Sequence, residues 1–121
     1  MDILLERAQA AEAGGDLPRA ERFLDSAAGI LPTYAEIYDR RAVLRLHAND
    51  APGAIKDIEA TLAREPRHFG ALAALGMVYE NMGQDRAALQ AYQDALAIHP
   101  YLEDAKQGVK RLQQKVVGRE T

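Results

Sequence analysis

The chain has 121 residues, enough for one domain or one short repeat array. Apolar residues make up 48%, and acids and bases alternate along the chain to a formal charge of -3, which argues against a dedicated nucleic-acid binder with its basic excess. There are no cysteines, so disulfides, thiolate nucleophiles and cysteine-based zinc sites are excluded as well.

No apolar run approaches the roughly 20 residues that a membrane-spanning helix requires. The first stretch, MDILLERAQA, carries charges in its opening turns and lacks the apolar core of a secretory signal. The expected setting is the cytoplasm, without membrane contact. Alanine is abundant and β-branched residues are sparse, which favours helix over strand.

In chain order, the first predicted helix runs from about Asp2 to Gly14, and the chain turns at Gly15-Asp16. A second helix runs from Pro18 to Leu31; proline suits a first helical position because its missing N–H would be unpaired there anyway. Pro32 then closes the unit, since proline cannot continue the preceding helix. The same grammar returns in the second unit, with a helix through YDRRAVLRLH, a turn at Asn49, a second helix from Pro52 and closure at Pro66. It returns most clearly in the third, LAALGMVYENMGQDRAALQAYQDALAIHP, which ends at Pro100.

The step between units is 34 residues, and it links six columns of like physical type. Pro32, Pro66 and Pro100 form one. Ala20, Ala54 and Ala88 form another. Ala8, Ala42 and Gly76 are all small. Gly15, Asn49 and Gly83 are the residue types that best tolerate a left-handed backbone. Leu24, Ile58 and Tyr92 are large and apolar, and Ala27, Thr61 and Ala95 are small. In the third unit Gly76 and Ala88 are expected to let two helices approach closely, with Leu75, Tyr79, Leu89, Tyr92 and Leu96 filling the seam.

Leu72, Leu75, Gly76, Tyr79, Gly83, Ala88, Tyr92, Ala95 and Pro100 make the third unit resemble the tetratricopeptide repeat family, and the resemblance covers residues 1–102. The first two units depart from it: Arg7 and Arg41 stand where leucine is usual, and Ala11 and Arg45 where an aromatic is usual. The resemblance implies an all-α, right-handed superhelical solenoid of three helix hairpins, residues 1–34, 35–68 and 69–102, plus a capping helix at about 103–117, as a single domain over 1–121. Ala105, Val109, Leu112 and Val116 lie at helical spacing in that last segment, with Gly118 as the expected stop. No matching cap precedes the first helix, so a flank including Ile3 and Leu4 is expected to stay exposed. Self-association through it, as a homodimer, is the alternative role; an accessory domain of a larger enzyme complex is another.

Arg41 and Arg45 are four residues apart and share a helix face, which the register turns inward. Bare charges there would be costly, so Asp57 is expected opposite Arg41 as a structural ion pair. In the third unit the equivalents are Leu75 and Ala91, so charge appears and disappears as a pair. In the first unit Arg7 faces Phe23, and is expected to use Asp25 or to snorkel. Arg40 points elsewhere and is expected to be solvated or on a rim.

The resemblance further implies a concave groove lined by the first helix of each unit. By register it collects Asp2, Leu5, Gln9 and Glu12; Glu36, Asp39, Val43 and Leu46 with His47; Gly70, Ala73, Met77 and Glu80 with Asn81; and Asp104, Gln107 and Arg111 from the capping helix. This is an acidic margin around an apolar floor of Leu5, Val43, Ala73 and Met77. It should select a protein or peptide with apolar anchors and basic neighbours. The double reversal Asp39→Lys/Glu80→Lys is expected to weaken binding with little change in melting. The carboxylate clamp of co-chaperone relatives would fall on Leu5, Gln9, Arg40, Gly70 and Ala74, of which only Arg40 is basic, so that use is not expected.

Catalysis has no support. Ser26 is the only serine and stands far from any base constellation. His47, His68 and His99 include no pair at ligand spacing, and no glycine-rich loop follows a strand, so no metal, cofactor or phosphate site is expected.

Overall fold

In a computed structural model of the chain, residues 2–120 are described, with side chains from 3 to 118. The side chain of Asp2 lies outside the described residues. The order is α1 (Asp2–Ala13), α2 (Leu17–Ile30), α3 (Ala35–His47), α4 (Ala51–Arg64), α5 (Phe69–Asn81), α6 (Asp85–Ile98) and α7 (Glu103–Glu120), and the described residues include no strand. They divide between Glu65 and Pro66 into two compact units, unit 1 with α1 to α4 and unit 2 with α5 to α7.

The 34-residue step of the sequence is a step of turns. Each first helix ends in the same double-bonded stop. Gly15, Asn49 and Gly83 have φ of 80°, 63° and 76°. Their N–H groups donate to Glu12, Leu46 and Glu80, each at 3.0 Å. The next residues, Asp16, Asp50 and Gln84, donate to Ala11, Arg45 and Tyr79 at 2.8, 2.8 and 2.9 Å. This is the pattern that satisfies the last carbonyls of a helix by sending one residue left-handed. The side chains of Asp16 and Asp50 then cap the following helix, accepting from the N–H of Arg19 at 3.2 Å and of Gly53 at 3.0 Å. Gln84 makes no such side-chain bond. Pro18 and Pro52 lie in the first two positions of α2 and α4.

Within unit 1, α1 packs on α2, α2 on α3, and α3 on α4. Leu5, Ala8, Ala20, Leu24, Ala27, Ile37 and Leu44 form one core, with Phe23 and Ala11 at its edge. The closing proline is tied down: the Pro32 carbonyl accepts from the Tyr38 hydroxyl at 2.7 Å and from Arg64 Nε at 2.9 Å. The Arg64 guanidinium lies 4.1 Å from the centre of the Tyr38 ring.

Within unit 2, α5 packs on α6, and α7 lies against both. Ala73, Ala88, Tyr92, Ala95, Ala105 and Leu112 form its core. α5 starts with an imidazole cap, His68 Nδ1 accepting from the Ala71 N–H at 3.0 Å. α7 runs past Gly118, the expected stop, to Glu120. Gly118 has no positive φ, and without a left-handed residue the carbonyl-capping turn that ends α1, α3 and α5 does not form.

Candidate interaction surface

The three arginines of α3 divide between structure and surface. Arg41 and Arg45 converge on Asp57 of α4, whose side chain is 2% exposed. Arg41 donates through Nε to both carboxylate oxygens at 3.1 Å and through Nη2 to Oδ1 at 2.9 Å; Arg45 Nη1 donates to Oδ2 at 2.7 Å. The same guanidiniums reach back to α2. Arg41 Nη1 donates to Asp25 at 3.0 Å, and Arg45 Nη2 to Glu21 at 3.1 Å. Burial alone would lower the pKa of Arg41, but the bonds and charges of Asp57 and Asp25 outweigh it and hold the group above its ordinary value. No buried side-chain polar atom among the described residues lacks a partner. Asp25 therefore serves Arg41, so of the two expectations for Arg7 the pairing with Asp25 is not met, and Arg7 is exposed. Neither Asp25 nor Glu21 belongs to a recurring column, so the repeat register gave no hint of them.

Arg40 points to the other side of α3, where its Nε lies 3.3 Å from Glu36. There it lines a cleft of about 260 Å³ with Leu5, Glu6, Gln9 and Tyr34. Leu5 is only 8% exposed and belongs mainly to the core, so the apolar contribution to the cleft comes largely from Tyr34, which is 43% exposed. Tyr34 and Glu6 were not singled out from the sequence; Tyr34 precedes α3 and so falls outside a reading confined to helix faces. Farther along the same two helices, Glu12 and His47 approach to 3.7 Å. Asp39 and Val43 are half-buried, and Gln9 is exposed.

In unit 2 the register positions on α5 separate by burial. Ala73 is 9% exposed and sits in the core, whereas Met77 is 46% exposed with exposed Asn81 nearby in sequence. Glu80 is committed to α7. Its Oε2 accepts from Arg111 Nε at 2.6 Å, and its Oε1 from Arg111 Nη2 at 2.8 Å and from the Tyr92 hydroxyl at 3.1 Å. The bonds from Arg111 hold the Glu80 carboxyl below the ordinary carboxylate range, against the opposing effect of burial. Burial first, and then the Glu80 charge, push the Tyr92 hydroxyl up to about 12. The Tyr92 ring lies between two glycines: a Cβ at Gly76 of α5 would stand 2.8 Å from it, and one at Gly108 of α7 2.6 Å. Glu80→Lys would therefore loosen α7 as well as change surface charge, and the double reversal expected to leave melting unchanged is not a clean probe.

Among the described residues, no helix is long and apolar enough to cross a membrane.

No family model matches the chain. A TPR repeat-containing protein of Rhizobium etli is 38% identical over 104 residues, which are 86% of this chain. The chain spans 51% of that relative, about half its length. The TPR domain of Arabidopsis OM64 superposes with a TM-score of 0.90 at 23% identity, covering 94% of each chain. The second TPR domain of human RPAP3, solved in complex with the HSP70 peptide SGPTIEEVD, superposes with a TM-score of 0.84 at 18% identity, covering 91% of this chain and 92% of that one.

Proposed function

This chain belongs to the tetratricopeptide repeat family, and from that premise we propose that it is a non-catalytic docking module for a peptide or protein segment. The observation that carries the reading is the cleft of about 260 Å³ between α1 and α3. It offers an exposed aromatic ring, Tyr34, to an apolar anchor, and polar side chains around it to a backbone. In unit 1 the docking face comprises Leu5, Gln9, Glu12, Glu36, Asp39, Val43 and His47. In unit 2 the corresponding positions are Ala73, Met77, Glu80, Asn81 and Arg111, where Met77 supplies an adaptable apolar contact and the Glu80–Arg111 pair is rigid framing.

The charge balance of the unit 1 face favours a partner with basic residues beside its anchor. Glu6, Glu12, Glu36 and Asp39 outnumber Arg40 and His47 there. An acidic chain end like that of the peptide held by the human RPAP3 domain finds little to hold it. Leu5, Gln9, Gly70 and Ala74 bring no cation, and the Arg40 guanidinium rests on Glu36.

The test is selection of a displayed peptide library on the full chain, with two counter-screens. Gln9→Lys alters an exposed side chain of the cleft; Asp39→Lys alters an acid of the proposed docking face on α3, with melting checked. Enrichment of basic, apolar peptides that both variants lose is the expected result. Enrichment of acidic chain ends, or peptides that neither variant discriminates, overturns the assignment.

A further inference from the structure

The face by which α3 is covered by α2 has a counterpart on α1, one repeat step earlier. On α3 that face comprises Ile37, Arg41, Leu44 and Arg45. Ile37 and Leu44 are 0% and 2% exposed in the core shared with α2, and the two arginines take Asp25 and Glu21 of α2. Moving back 34 residues gives Ile3, Arg7, Ala10 and Ala11 on α1. Ile3 is 62% exposed, and Arg7 and Ala10 are exposed too. Arg7, Ala10, Ala11 and Gly14 line an open depression of about 620 Å³, completed by Asp16, Arg19 and Phe23.

The charge of this depression is opposite to that of the α1 and α3 face proposed for peptides in unit 1. Among the described residues neither the Arg7 nor the Arg19 guanidinium meets a carboxylate; Arg19 lies 5.6 Å from the Phe23 ring centre. The one acid present, Asp16, is engaged through Oδ1 by the Arg19 backbone N–H. Two guanidiniums beside a half-buried phenyl ring and a strip of alanine form a seat for a helix that is apolar along one stripe and acidic beside it. The internal template shows the chemistry in place: α2 meets α3 with small and branched side chains and sets Asp25 against the arginine that corresponds to Arg7.

We propose that this outer flank of α1 docks an acidic amphipathic helix of a partner protein, laid on α1 as α2 lies on α3, with a carboxylate on Arg7. The surface is separate from the α1 and α3 cleft proposed for peptides, and its partner has the opposite charge.

The probe is a synthetic peptide of residues 16–31, the chain's own α2, cross-linked between exposed positions 22 and 26 to hold it helical, because a free helix of that length is marginal in water. It is titrated into the full, isotope-labelled chain. The expected result is saturable shifts at Ile3, Arg7, Ala10, Ala11 and Phe23, with affinity lowered about tenfold in Arg7→Glu, the scale of one charged hydrogen bond. A peptide carrying Asp25→Arg should recover binding to Arg7→Glu and lose it to the wild type. Absence of shifts at millimolar peptide overturns the proposal, as do shifts confined to Gln9 and Glu12, or equal affinity in Arg7→Glu. So does a dimer of the unliganded chain that Arg7→Glu dissolves, because a second copy would then be the occupant. None of these outcomes touches the Gln9 and Asp39 counter-screens, so the two assignments fail separately.

Discussion

Replacing Gly108 by alanine should destabilise unit 2, although an alanine is normally the better helix residue. The new Cβ would lie 2.6 to 2.8 Å from three atoms of the Tyr92 ring. Ordinary contact requires several tenths of an ångström more. The ring has little room to yield toward α5, because Gly76 lies so close on that side that even a Cβ there would stand only 2.8 Å from it. It cannot swing without breaking its hydroxyl bond to Glu80 at 3.1 Å. The strain therefore falls on α7, which must lift and lengthen the Arg111–Glu80 bonds of 2.6 and 2.8 Å. Overpacking of this kind costs about 1–3 kcal/mol. The gain in helix propensity returns about 1 kcal/mol, so a net loss of up to about 2 kcal/mol remains. For a chain of this size, between the small and mid-sized domains, each 1 kcal/mol lost lowers the melting temperature by roughly 3–6 °C. Thermal circular dichroism measures the loss, and hydrogen exchange of α7 amides locates it. Gly29→Ala in α2 is the control, since a Cβ there meets nothing within 4 Å, and it should be neutral or stabilising by up to about 0.5 kcal/mol. Tyr92→Leu is itself destabilising, but on that background Gly108→Ala should cost little or nothing further. A higher melting temperature for Gly108→Ala alone would refute the sandwich.

Asp57→Ala should destabilise the chain by about 1–3 kcal/mol, because it strips a buried carboxylate from two guanidiniums that keep only Asp25 and Glu21; denaturant unfolding beside the exposed Asp25→Ala, expected below about 1 kcal/mol, checks it. Asn49 has a φ of 63°, where glycine is unstrained and alanine is not. Asn49→Gly should therefore raise stability by about 0.5–1 kcal/mol and Asn49→Ala lower it by about 1 kcal/mol, read from the denaturation midpoint. Tyr92 should be the last tyrosine to ionise in an absorbance titration. Its folded pKa of about 12 exceeds the unfolded 10.0, so its contribution is intact below pH 10.0 and is lost as pH rises from there to about 12. The drop is roughly 2–3 kcal/mol, and Tyr92→Phe should remove it.

What the sequence made legible was whatever recurs. The left-handed stops at Gly15, Asn49 and Gly83 are required by backbone geometry, so they appear as a column of tolerant residues. The Arg41–Asp57 contact was visible because residues 75 and 91 lose both charges together. Contacts made once left no such trace. One step on from Glu21 and Asp25 stand Ile55 and Glu59, then Leu89 and Gln93, so their bonds to α3 depend on placement that the register does not encode. Gly108 lies beyond the repeats, and only the Tyr92 ring explains it. At the first-helix positions expected to line a groove, the register gave the side of the helix but not the depth. Leu5 and Ala73 sit in cores while Met77 stands out, because depth depends on how closely a neighbouring helix approaches.

The two units join their helices by different means, and the difference bears on partner choice. In unit 2 the seam between α5 and α6 is apolar, with Leu75 and Tyr79 where α3 has Arg41 and Arg45, and Ala91 where α4 has Asp57. Such a seam accepts many hydrophobic faces of suitable volume. In unit 1 two guanidiniums accept a covering helix only if it brings carboxylates to their remaining N–H groups, because a misplaced helix would bury those donors unpaired. The ions should thus select the neighbour more than they strengthen the fold. Converting Arg41, Arg45 and Asp57 together to leucine, tyrosine and alanine should then leave stability within about 1 kcal/mol of wild type, unlike Asp57→Ala alone. The same conversion should abolish the energetic coupling between Asp25 and α3 in a double-mutant cycle. A triple variant as unstable as Asp57→Ala would show that the network is needed for strength. In that case Arg7, at the same register position on α1, would lose its rationale as a selector of acidic helices.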